Sequence, residues 1–339
     1  MSQVKELESS KKRSLKDYSI IVFKSLTTII VLYYILNTFQ QDDKGIGDIW
    51  VVFKSSFTTQ NLPIILLVVL LVPVNWALES LKWQVLVDRL VPIGFLEAFK
   101  GVLSGLAVGI FLPAQIGDSI GRIGSLKSNK KLQAIGAVFI SGGIQFYVSF
   151  IGGSIGWYLI QNNINFEPVV KTLILNSILI INLIGVIFIL FRNQFFILKP
   201  KSTYLLRLHE YLKIIGNYSS NEITLSLFYG ALRYAIFLMQ FVLILNLFEF
   251  NLSWMTLSSC VAVIFLVKTI IPMFNVFGDL GLREFTALFV FKAYQLPSEQ
   301  IIAATFFIWI INVLGPLLVG LYFIWRKNFL ANHPQSQPL

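Results

Sequence analysis

Charge is what this chain has least of. Asp, Glu, Lys and Arg make up 13% of its 339 residues, against about 25% in an average soluble domain. With 56% hydrophobic residues and 30 Phe, too few polar side chains remain to clothe a globular surface, so an ordinary soluble protein is excluded and the solvent is lipid. Cysteine is almost missing: Cys260 stands alone, and no intrachain disulfide can form. Histidine is almost missing too. With His209 and His333 as the only pair, neither a zinc nor a haem site is expected, and no other metal or cofactor is implied. Acids are outnumbered, 17 against 27 Lys and Arg, for a net charge of +10. In a membrane protein that excess marks loops held against anionic headgroups, with membrane lipids rather than nucleic acid as partners.

What the chain has in quantity is long charge-free runs. They predict helices near 19–39, 62–88, 132–160, 170–191, 223–248 and 299–325, each long enough for the roughly 20 residues that cross ~30 Å of hydrocarbon. Two further apolar stretches, 95–112 and 253–271, are each followed by a Pro/Gly-interrupted segment and a second short apolar piece. They read as broken or re-entrant hairpins. The fold class is therefore an all-α integral membrane protein of about six full spans plus two hairpins, at 95–127 and 253–294. A basic tail (1–18) and a short C-terminal tail (328–339) flank a single membrane domain over 19–327.

The first run follows Lys5, Lys11, Lys12, Arg13 and Lys16 without a small-residue cleavage site, so it reads as a retained span with the N-terminus in the cytoplasm. If each hairpin returns to its own side, Lys127, Lys130, Lys131, Arg192, Lys199, Lys201, Arg207, Lys213, Arg326 and Lys327 all fall inside. The expected outside loops near 161–169, 249–253 and 294–299 carry no Lys or Arg. Only the 40–61 loop breaks this pattern, with Lys44 and Lys54 beside Asp42, Asp43 and Asp48. A multi-pass protein of the cell membrane with both termini cytoplasmic is expected. In the 192–222 insert, Tyr204, Leu205, Leu208, Leu212 and Ile215 recur at helical spacing opposite Arg207, Glu210 and Lys213, with Gly216 as a stop. This is either a helix lying in the interface or a connector packed on the protein's own underside.

The two hairpins share more than hydropathy. The first reads LPAQIGDSIGR from Leu112 to Arg122, the second IPMFNVFGDLGLRE from Ile271 to Glu284. Each has a Pro ending an apolar run (Pro113, Pro272), then Gly-Asp (Gly117-Asp118, Gly278-Asp279), a further Gly (Gly121, Gly281), and Arg four residues after the Asp (Arg122, Arg283). Three full crossings separate the start of the second span from that of the fifth, so the copies run in opposite directions. That is the layout of an inverted-topology repeat, whose substrate site lies where broken helices meet.

Ionisable groups between apolar segments cost a few kcal/mol or more unless they face water, a partner or a ligand. Asp118, Arg122, Asp279, Arg283 and Glu284 are thus candidates. Two readings stay open. Asp at i and Arg at i+4 share a helix face and can form a structural bridge; alternatively each Asp caps a helix start, leaving Arg and free backbone N–H groups for a phosphate. Lys268, deep in the second hairpin, is a further cationic candidate. Glu79 either pairs with Lys82 at i+3 or faces the cavity, and Arg233 is expected to snorkel to the surface. The ladder Gly101, Gly105, Gly109 and the pair Gly152, Gly156 are explained by close helix packing. Trp50, Trp157 and Trp254 are expected in the interfacial belts. No nucleophile–base set or phosphate-binding loop is present, so no catalytic residue is assigned.

The Pro-x-x-x-Gly-Asp-x-x-Gly-Arg pattern at 113–122 and the Gly-Asp-Leu-Gly-Leu-Arg-Glu segment at 278–284 resemble the lysylphosphatidylglycerol synthase transmembrane region family, over roughly residues 15–327. The chain departs from the family's usual Gly-Glu at Gly117-Asp118 and from its Pro/Gly-rich turn at Phe274 to Phe277. The resemblance implies a flippase-like domain moving a lipid between leaflets, an aminoacylated phosphatidylglycerol in members fused to an aminoacyl-transfer domain. Only 12 residues follow Lys327, so a stand-alone member that is not itself an enzyme is expected. On this reading Arg122, Arg283 and Lys268 hold phosphate, while Asp118, Asp279, Glu284 and Glu79 are charge partners. The alternative is a scaffold for a separately encoded aminoacyl- or glycosyltransferase.

Overall fold

The computed structural model describes residues 46–109, 115–126, 133–197, 202–271 and 281–332, and all regular structure among them is helical. The expected first span, together with Pro113, Pro272, Gly278 and Asp279, lies outside the described residues. Among the described residues five helical segments are long and apolar enough to cross a membrane. They are α2 (Leu62–Val87), α5 (Ala134–Ile160), α6 (Pro168–Phe195), α9 (Ser220–Leu247), and α12 (Ser298–Trp309) continued through one π-helical turn (Ile310–Leu314) into α13 (Gly315–Asn332). Local chemistry sets their starts. Pro63 and Pro168 occupy the first turns of α2 and α6, where no intrahelical N–H bond is lost. Ser219 and Glu222 cap each other's backbone at the start of α9.

The π turn has a cause in sequence. Pro316 carries no N–H, so the carbonyl of Asn312 loses its i+4 donor. The Trp76 indole N–H of α2 takes that place at 3.3 Å.

Two shorter pairs form the hairpins: α3 (Phe95–Gly109) with α4 (Gln115–Ser125), and α10 (Trp254–Ile270) with α11 (Leu282–Lys292). The α3–α4 seam is closed by glycine. A Cβ on Gly121 would sit 2.5 Å from Cα of Gly105 and 2.7 Å from the carbonyl of Ser104, and one on Gly117 would sit 2.5 Å from Cα of Gly109. The glycine ladder thus packs as expected. The pair α3–α4 opens beside the end of α2, where Ile93 N–H donates to Asp88 at 2.8 Å. The pair α10–α11 opens on the opposite face, where Tyr294 meets Asn163 beyond the end of α5. We call these the near and far faces.

The packing is reciprocal. The first helix of each hairpin lies on the span that follows the other hairpin: α3 on α13, where Gly320 meets Leu103 and Ala107, and α10 on α5, where Gly153 and Gly156 meet Ala262 and Ser259. Between them α2 and α9, the spans that precede the hairpins, pack on each other.

Three expectations change. Residues 46–55 form a helix, α1 (Ile46–Ser55), rather than a loop; Ile49, Val52 and Phe53 share one face and Phe53 stands edge-on to Phe307 of α12. Trp157 is 5% exposed in the core beside Phe166, not in a belt, whereas Trp50 and Trp254 are exposed. The 192–222 insert folds as α7 (Thr203–Leu212) and α8 (Ile214–Asn217), so Gly216 lies inside α8. Ile215 and Tyr218 are buried, and Arg192 donates to the Tyr218 carbonyl at 2.9 Å, which ties this stretch to the near face. Leu205 of α7 stays exposed.

Span α6 differs from its neighbours. Of its side chains only Ile178 and Arg192 are buried. Asn182 stitches it to Ser154 of α5 at 3.0 Å, a polar contact of the kind that holds helices together in lipid.

Candidate functional site

Between the two hairpins lies a cavity of about 350 Å³. Its walls come from α2, α3, α4, α5, α9, α10 and the turn into α13, and it carries six ionisable side chains: Glu79, Lys82, Asp118, Arg122, Arg233 and Lys268. Depth follows from helix rise. Glu79 is eight residues from the near-face end of α2, about 12 Å in, and Arg233 is thirteen residues into α9, about 20 Å in. These groups sit well inside the hydrocarbon thickness of ~30 Å.

Glu79 is the hub. Its carboxylate lies 2.8 Å from Lys82 Nζ, 3.0 Å from Arg122 Nη1 and 3.4 Å from Arg233 Nε. Arg122 also donates from Nε to Asp118 Oδ1 at 2.8 Å, and its guanidinium lies 5.7 Å from the Trp83 ring. Lys82 donates to Gln145 Oε1 at 3.2 Å. Arg233 stacks 5.3 Å from the Trp76 ring, and its buried Nε makes no hydrogen bond. Lys268 Nζ lies 5.8 Å from the Phe237 ring. The same Trp76 therefore holds Arg233 with its face and the π turn with its N–H.

Gly105 lets this cluster form. A Cβ there would stand 2.9 Å from the Asp118 carbonyl and 3.1 Å from Arg122 Cγ, so a side chain on α3 would push the Asp118–Arg122 pair away. Among the described lining residues four cations face two carboxylates. Lys82, Arg122 and Arg233 alone outnumber Glu79 and Asp118, a balance that favours an anionic guest.

The model of the lysylphosphatidylglycerol synthase TM region matches residues 21–320, which include every side chain of this cavity. The chain belongs to that family. No curated protein and no solved structure gives a match. Family membership and the apolar spans make the chain a multi-pass membrane protein with a lipid-related function.

Within this family member the two sequence motifs part company. In the first, the Asp118–Arg122 bridge forms, and Asp118 lies in the first turn of α4 rather than at its cap; the reading that left Arg122 unpaired is corrected. In the second, Arg283 is 1% exposed, donates to Glu284 Oε1 at 3.1 and 3.3 Å, and does not line the cavity. Among the described residues Arg122 lines the cavity and Arg283 does not, whereas the sequence reading placed phosphate on both. Glu284 accepts from the Gly281 N–H at 2.6 Å and so starts α11, while Gly281 itself holds φ at 98°, a conformation that favours glycine. Asp279 lies outside the described residues.

Glu79 satisfies both of its readings at once, since it pairs with Lys82 and lines the cavity. Arg233 does not snorkel; it turns to Glu79 and Trp76 because a carboxylate and an aromatic face are nearer than the membrane surface. Gln145 and Trp76 were not singled out from the sequence. Gln145 had a signal, an amide in the middle of a 27-residue apolar helix.

Proposed function

We propose that the protein is a lipid translocase that passes a phosphate-bearing headgroup between leaflets through the cavity at Arg122. The observation that carries this reading is a net-cationic cavity at mid-depth in a helical bundle surrounded by lipid. A phosphate crossing hydrocarbon needs fixed polar partners part-way, and arginine beside lysine offers charge-assisted donors there. The two hairpins, entering from opposite faces and packed reciprocally, support an inverted repeat in which each half supplies one wall. On this reading the near face is cytoplasmic, the membrane is the cell membrane, the termini are inside, and the chain itself performs no bond chemistry.

The test is reconstitution into phosphatidylcholine vesicles with a trace of head-labelled phosphatidylglycerol, bleached from outside by an impermeant reductant. The protein is expected to accelerate loss of the inner-leaflet signal, and Arg122→Gln to remove that gain. No acceleration by folded protein sinks the translocase and leaves a scaffold for a separate lipid-modifying enzyme, docked through α7. Sidedness is read separately: a cysteine at exposed Asn163 is expected to react with an impermeant thiol reagent applied to whole cells, and one at exposed Ser202 is not.

A further inference from the structure

We infer that the cavity recognises the hydroxyl groups of a sugar or polyol headgroup through a hydrogen-bonding track on α5, made by Ser141, Gln145 and Ser149. The inference rests on the translocase reading of this site and narrows its substrate to a class. All three residues line the cavity, and their spacing of four puts them on one face of the helix. Ser141 stands seven residues past the start of α5 and Ser149 fifteen, about 10 and 22 Å along it. That interval brackets the depths of Glu79 and Arg233, and Gln145 fixes the level directly, since its Oε1 accepts from Lys82 Nζ at 3.2 Å. The track therefore runs beside the cations.

Ser141 carries the argument. It is 2% exposed, and its Oγ has no hydrogen-bond partner among the described residues. A serine or threonine inside a helix can return its hydroxyl to the carbonyl four residues back, and Ser80, Ser154, Ser259, Thr286 and Thr305 all do so. Ser141 forgoes that bond at the wall of a cavity, where a buried polar atom calls for a partner. Its hydroxyl donates to one guest oxygen and accepts from another. Gln145 adds amide N–H donors besides the oxygen it lends to Lys82, and Ser149 adds a second hydroxyl. None of these groups carries charge, so they match neutral oxygens, while Lys82, Arg122 and Arg233 match phosphate. A headgroup with hydroxyls next to its phosphate engages both sets at once. Successive residues of the track are about 6 Å apart along the axis, roughly twice a hydrogen-bond length, so a hydroxyl leaving one is within reach of the next.

The experiment compares phosphatidylglycerol with phosphatidylpropanol, which has the same phosphate and charge but no headgroup hydroxyl, in two assays on the full chain. In the vesicle assay, with both lipids labelled on an acyl chain, phosphatidylglycerol is expected to move at least about threefold faster, the worth of one hydrogen bond. Ser141→Ala, a mild change for a helix, is expected to slow phosphatidylglycerol alone and so bring that ratio towards one. In detergent, short-chain phosphatidylglycerol is expected to raise the thermal midpoint more than the short-chain propanol lipid, and Ser141→Ala to erase the difference. Movement of both lipids at equal rates, or equal shifts of the midpoint, overturns the track while leaving translocation standing. Selective stabilisation without movement of either lipid sinks translocation and keeps the hydroxyl recognition. Neither stabilisation nor movement overturns both. A preference that survives unchanged in folded Ser141→Ala overturns the track, because the hydroxyls are then read elsewhere.

Discussion

The two Gly-Asp-x-x-x-Arg segments look alike in sequence and do different work. Arg122 reaches across to another helix: Glu79, forty-three residues away, takes its Nη1 at 3.0 Å, and the pair lines a cavity. Arg283 turns to its own chain neighbour, Glu284, and is closed off at 1% exposure. The difference lies in where the carboxylate comes from. A partner on a second helix carries the ion pair across the gap between the two, where it lines the cavity, whereas a partner at the next residue lets the motif fold in on itself as a helix start.

The largest expected effect falls on the first region's hub. Glu79→Gln leaves Lys82, Arg122 and Arg233 without their shared carboxylate, and breaking such a buried pair costs about 3–5 kcal/mol. Thermal unfolding in detergent reads it. Glu284→Gln is expected to lose less, because glutamine can still accept the Gly281 N–H; equal losses would break the comparison. Next comes transport per folded molecule. Arg122→Gln is expected to lower the rate by about tenfold or more, the worth of one charged contact, and Arg283→Gln to leave it within about twofold while lowering stability. A transport defect in both would restore a shared role for the two arginines.

Smaller effects sharpen the structural side. Gly121→Ala drives a methyl into the backbone of α3 and is expected to cost about 1–3 kcal/mol, with Arg122 displaced and transport reduced. Gly281→Ala strains a backbone held at positive φ, and a cost of about 1–3 kcal/mol is expected without a change in transport by the folded fraction. The smallest effect sets the baseline: Lys213→Ala removes an exposed ion pair with Glu210 and is expected to change stability by less than about 1 kcal/mol.

The spans were legible because an uncharged run of more than twenty residues has one stable arrangement in lipid, and α2, α5, α6 and α9 begin and end within about four residues of the positions that charges and caps suggest. The hairpins were legible from proline and glycine. Helix α1 was not, since Lys54 and Asp48 masked the i, i+3, i+4 set Ile49, Val52 and Phe53. Pro316 announced the irregular turn in the last span, yet only the fold says that a tryptophan 236 residues away completes it. The site suffered the same way. Glu79, Arg122 and Arg233 each carry a local reading in which a near neighbour or the membrane surface satisfies the charge, and the tertiary partner that overrides it has no trace in spacing.

Helix α6 joins this site to the bilayer itself. From Lys171 to Arg192 it rises about 32 Å, close to the ~30 Å of hydrocarbon it must match, and of its side chains only Ile178 and Arg192 are buried. It is not free to slide, because Asn182 pins its middle to α5 and Arg192 pins its end to Tyr218. Tyr218 in turn donates its hydroxyl to the Leu86 carbonyl at 2.6 Å, near the end of the helix that bears Glu79. In a thinner membrane a tilt of α6 is one way to match the hydrocarbon; with Asn182 held, its Arg192 end would press on Tyr218. The two hydrogen bonds to backbone carbonyls, Arg192 to Tyr218 and Tyr218 to Leu86, are the path along which such a tilt would reach the helix that bears Glu79.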